Sequence, residues 1–297
     1  LTAREFFYTN AGTLRAPWRI AVFVVATVAS SFVASVFLGP VFATLFRLLR
    51  LAPLSTAEWI ETSALLGATA FCLLTIDKRP WKDVWMGREA VMPAKLITGF
   101  AIGSLAIAVP IAVLIASNWL RAEPGIPGSW SRAATRLTLM LLPAALLEEL
   151  ATRGYVFAVL REAVGWRLTL MLTSVGFGLL HLKNPGATVA SVLLVIAAGV
   201  LLGGIMVATR SLYAAWMAHF AWNWTMAVVF HTTVSGLPME SPAYRYVDAG
   251  PDWATGGSWG PEGGIPAGLG MGAGAGVAYL YARRRRLQGQ SSRQMET

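Results

Sequence analysis

Apolar residues along this chain come in uncharged blocks, many of them long enough to cross a hydrocarbon core about 30 Å thick. Ile20 to Phe46 is the first, running from Trp18-Arg19 to Arg47. The second, about Ala57 to Ile76, carries Glu58 and Glu61 in its opening turns and stops at Asp77-Lys78-Arg79-Pro80. Leu96 to Leu120 follows, with a kink expected at Pro110, and then Leu137 to Leu160, which is interrupted by charge. Leu168 to Leu182, Ala187 to Thr209 and Leu212 to Phe230 are the fifth, sixth and seventh. A loop rich in Gly, Pro and Trp (His231 to Gly264) separates them from a Gly-rich eighth block, Ile265 to Ala282. The pattern predicts an all-α fold: a polytopic integral membrane bundle of about eight transmembrane helices. It forms a single membrane domain over residues 1–286, followed by a disordered polar tail over 287–297.

Composition agrees with a membrane solvent. Of 297 residues, 56% are hydrophobic and 13% charged, with mean hydropathy +0.58, against about 25% charged in an ordinary soluble domain. The net charge of +9 could indicate nucleic acid, yet the basic residues sit at the ends of apolar blocks, so no nucleic-acid partner is expected. With eight spans, the termini and the loops on their side hold 16 Lys and Arg, and the opposite loops hold seven. The positive-inside rule then puts both termini in the cytoplasm of what is expected to be a bacterial cell. Cys72 is the sole cysteine, which excludes an intrachain disulfide and a Cys-based metal cluster. The residues Leu1-Thr2-Ala3-Arg4-Glu5 are not followed by a short apolar core with a small-residue cleavage site, so no removable signal peptide is expected.

Charge inside the fourth block changes the picture. An ionisable group there costs about 2.5–3.5 kcal/mol on insertion scales. Glu149 and Arg153 lie one helical turn apart and can pair, whereas Glu148 projects about 100° away and is left to face a cavity. A poorly solvated carboxylate is a competent proton acceptor for water near neutrality. Two of the three histidines also fall in apolar blocks: His181, one turn after Phe177, and His219, one turn before Asn223. His219 and Asn223 share a face and offer an imidazole and an amide to a developing oxyanion. Phe177 reads as packing, and His231, at the start of a loop, receives no role.

The order Glu148-Glu149-x-x-x-Arg153, Phe177-x-x-x-His181 and His219-x-x-x-Asn223, on three separate apolar blocks within 137–230, resembles the CPBP family of intramembrane proteases. That family includes the type II CAAX prenyl endopeptidases and bacteriocin-immunity relatives. The resemblance implies an intramembrane endopeptidase that cleaves a membrane-anchored peptide or protein within the lipid bilayer. In it Glu148 activates water, His181 assists, His219 and Asn223 stabilise the oxyanion, and Arg153 orders the Glu pair. Thr152 stands where the family often has an aromatic residue.

Two questions stay open on the sequence. Glu148, His181 and His219 could ligate one divalent metal such as zinc with a position left for water, or the same residues could work without metal. The absence of His-Glu-x-x-His excludes the zincin type, and Asp77, Asp83, Asp248 and Asp252 all lie in loops, which speaks against an aspartyl protease. The rival class is non-enzymatic: an immunity or scaffold protein, or an ion-coupled transporter using the same polar residues. A transporter is expected to show two related halves with broken helices, and no such repeat is present.

Overall fold

The computed structural model of the chain describes residues 2–51 and 54–295. Its helices are α1 (Ala3–Phe7), α2 (Ala16–Phe37), α3 (Gly39–Leu48), α4 (Ala57–Phe71), α5 (Pro93–Ala116), α6 (Trp130–Arg153), α7 (Tyr155–Val164), α8 (Trp166–Leu180), α9 (Val189–Thr209), α10 (Leu212–Trp224), α11 (Asp252–Thr255) and α12 (Ile265–Met295). Two short strands, β1 (Leu120–Pro124) and β2 (Tyr244–Asp248), pair antiparallel with Leu120 opposite Asp248. The fold is helical apart from this ribbon. Among the described residues, four helical stretches are long and apolar enough to cross a membrane: Ala16–Phe37, Ala57–Ile76, Pro93–Ala116 and Val189–Thr209. These make the chain an integral membrane protein.

The breaks between elements depart from the apolar blocks for local reasons. The first block divides after Phe37, where Pro40 opens α3 with the one ring that fits a first helical turn. The fourth begins earlier, at Trp130, and ends at Arg153; Gly154 adopts a non-helical conformation and α7 starts anew, stopping at Gly165. The second and seventh blocks finish in π-helical turns, Cys72–Ile76 and Thr225–Val229. The tail expected to be disordered from residue 287 instead continues α12 to Met295, in a run of Arg, Leu and Gln that favours helix; its last two residues lie outside those described.

The chain divides into two compact units, each assembled from separate stretches: Leu1–Gly87 with Leu139–Thr173, and Arg88–Thr138 with Ser174–Thr297. In the first unit α2 packs on α4 and α7. Buried Arg19 bonds Asp77 at 2.5 Å and Glu162 at 2.7 Å, and the Tyr155 hydroxyl donates to Asp77 at 2.9 Å. Pro143 lies inside α6 and lacks an N–H, so the Leu139 carbonyl one turn earlier loses its helical donor. The Trp59 indole N–H donates to that carbonyl at 3.0 Å, and the Thr62 hydroxyl donates to the Pro143 carbonyl at 2.9 Å. Away from water such repair is obligatory.

In the second unit α5 lies along α10, and α12 packs on α5 and α9. The α5–α10 contact depends on glycine. A Cβ at Gly99 would stand 2.0 Å from the Ala214 carbonyl oxygen, and one at Gly103 would stand 2.0 Å from that of Ala218. Gly270 of α12 meets the Ala106 carbonyl in the same way, also at 2.0 Å. Small residues let membrane helices approach to backbone contact, and here they hold α10 one residue before His219.

Candidate active site

Glu148, Glu149 and Arg153 belong to the first unit, on the last turns of α6. Glu149 Oε1 accepts from Arg153 Nη1 at 2.7 Å, and neither side chain has any exposure. This is the i,i+4 pair that the helical period predicts. Arg153 Nη1 also donates to the Thr152 hydroxyl oxygen at 3.2 Å, and that hydroxyl donates to the Glu148 carbonyl at 2.7 Å. Thr152, the departure from the family pattern, thus helps to orient the guanidinium. Glu148 is half-buried and projects from the adjoining face of α6, away from the pair.

His181, His219 and Asn223 belong to the second unit and line one cavity there, together with Phe177, Ser235 and Glu262. Its volume is about 30 Å³, room for a water or two. His219 and Asn223 project from one face of α10. His181 does not lie inside a helix as the fifth block suggests: α8 ends at Leu180, and the His181 N–H bonds the Gly178 carbonyl in the following turn. Its Nδ1 is 2.9 Å from the Phe177 carbonyl oxygen. A carbonyl only accepts, so Nδ1 carries a proton and donates. Phe177 packs against both imidazoles, in keeping with a packing role. Its ring centroid lies 4.9 Å from that of His181 and 5.7 Å from that of His219, edge-on to the latter. One aromatic ring therefore spaces both imidazoles.

Glu262 is the lining residue that the sequence reading missed. It comes from the loop before α12, some 40 residues from α10, and no helical period points to it. The residue is 7% exposed, and its carboxylate accepts from the Trp222 indole N–H at 2.8 Å. His231, which the sequence leaves without a role, is buried with its ring 4.5 Å from that of Tyr244; burial holds its pKa below the ordinary value. Among the described residues no group of three or more His, Cys, Asp or Glu is arranged to hold a metal ion.

The chain resembles a known family over part of its length. Residues 130–225, about a third of the chain, match the family model described as type II CAAX prenyl endopeptidase Rce1-like. No curated protein matches the chain. The matched segment contains Glu148, Glu149, Arg153, His181, His219 and Asn223, and ends before the loop that supplies Glu262. The segment that carries these six residues is thus similar to the type II CAAX prenyl endopeptidases of the Rce1-like family.

Proposed function

We propose that this protein is an intramembrane endopeptidase that hydrolyses a peptide bond of a membrane-associated protein. The observation that carries the reading is the cavity of the second unit, where His181, His219 and Asn223 converge around space for water. The family match over residues 130–225 supports the same reaction class. Glu148 takes a proton from water as the oxygen attacks the scissile carbonyl, which becomes a tetrahedral oxyanion. The Asn223 amide and the His219 imidazole N–H donate to that oxyanion as its charge develops. The proton then passes to the leaving amine, aided by His181. The Glu149–Arg153 pair fixes the last turns of α6 and so the direction of Glu148. No step requires a metal.

The membrane arrangement belongs to the same reading. Besides the four long spans, α6, α8, α10 with its π-helical turn, and α12 also cross the bilayer. That gives eight spans in one membrane domain, with both termini in the cytoplasm of a bacterial cell.

The test is turnover of a library of membrane-anchored peptides, prenylated and unprenylated, by detergent-purified protein. Glu148→Gln keeps size but loses proton acceptance. Turnover is expected to fall by about 10²–10⁴ with folding preserved. Wild-type turnover in Glu148→Gln would return the polar residues to a structural or transport role.

A further inference from the structure

Glu262 is a buried carboxylate that the proposed hydrolysis does not use. It sits in the short helical turn Pro261–Gly263, and three donors converge on it. The Ser235 backbone N–H and hydroxyl reach Oε1 at 2.7 and 2.6 Å, and the Trp222 indole N–H reaches Oε2 at 2.8 Å. Burying a carboxylate is costly, and hydrogen bonds to a charged acceptor are the strong ones that offset the cost. If the loop needed only to be pinned, an apolar side chain would do so at lower cost.

What Glu262 joins gives it a purpose. Trp222 neighbours Asn223 and lies one turn from His219 on α10. On its other side, the Ser235 carbonyl accepts from Asn184 Nδ2 at 3.0 Å, three residues beyond His181. The next residue, Gly236, has φ +79°, and a Cβ there would lie 1.9 Å from the Pro185 carbonyl oxygen, so this turn rests directly on the backbone that follows His181. One carboxylate thereby ties the histidine-bearing face of α10 to the histidine-bearing turn after α8.

We propose that Glu262 is a positioning residue, through which the 231–264 loop holds the His219–Asn223 face and the His181 turn in register by way of Trp222 and Ser235. This rests on the endopeptidase reading. Glu262→Gln keeps size but turns an amide NH2 toward a donor, either Ser235 or Trp222. A misplacement of about 1 Å can cost about 10²-fold in rate, so kcat should fall by about 10- to 10²-fold with KM little changed. Trp222→Phe keeps the ring, removes the N–H and should do the same. The double variant should be little worse than either single one, because both break one contact.

The ring resonances of His181 and His219, read by NMR of ¹⁵N-histidine-labelled protein, supply a signal independent of turnover. They should shift in both single variants while helical content is retained. Wild-type kcat together with unmoved ring resonances, even with a lowered melting temperature, would overturn the proposal and leave Glu262 a structural pin. Should Glu262→Gln not fold, Trp222→Phe decides alone. If wild-type turnover proves independent of Glu148, the endopeptidase reading fails separately, and the imidazole signals still report whether Glu262 holds the two histidines.

Discussion

Arg153 and Glu149 meet at 2.7 Å with no exposure on either side chain, so each charge is compensated by close geometry and not by solvent. Arg153→Ala removes the cation from a buried carboxylate, a change that typically costs about 3–5 kcal/mol. Folded yield in detergent and turnover should both drop; normal yield with full turnover would show that the pair is not needed. The pair was legible in the sequence because an i,i+4 relation on one helix is fixed by the helical period alone, and so was the shared face of His219 and Asn223. Glu262 was not legible, since its partners Trp222 and Ser235 lie 40 and 27 residues away and meet it only once a loop has folded back. His181 falls between these cases. The i,i+4 spacing from Phe177 holds, but the helix stops one residue short and the contact is made by a turn.

At the scale of elements, the apolar blocks located most helices to within a few residues, and what they missed were the interruptions. Gly154 separates α6 from α7 although the hydrophobic pattern runs on, because a break needs only one backbone conformation and leaves the pattern intact. Nor does the sequence show which small residues face a neighbour: Gly99 and Gly103 of α5 carry the tight contact with α10. Gly103→Ala should be enough to test it. The added Cβ, 2.0 Å from the Ala218 carbonyl oxygen, must push α5 from α10, at a cost typical of overpacking, about 1–3 kcal/mol. The thermal midpoint should fall and turnover with it, since His219 follows Ala218. An unchanged midpoint would mean that the helices separate without cost.

For the whole molecule, the division of basic residues, 16 against seven, predicts the orientation. Reporter fusions after Arg286 should be cytoplasmic and those within the 236–264 loop external. A cytoplasmic signal from that loop would remove the eight-span arrangement, and four spans with re-entrant helices would take its place. The two units add a constraint of another kind. Each is made of stretches that alternate along the chain, so Leu1–Gly87 waits for Leu139–Thr173, and Arg88–Thr138 waits for residues beyond Ser174. During synthesis from the N-terminus, the first ribosome-bound intermediate able to close a unit is one in which residue 173 has left the exit tunnel. Until then the polar groups at Arg19 and Asp77 lack Glu162 and Tyr155. A nascent chain stalled anywhere in the first half therefore holds Arg19 and Asp77 in an unfinished polar network, the condition under which insertion chaperones and membrane quality-control proteases would have their longest access to it.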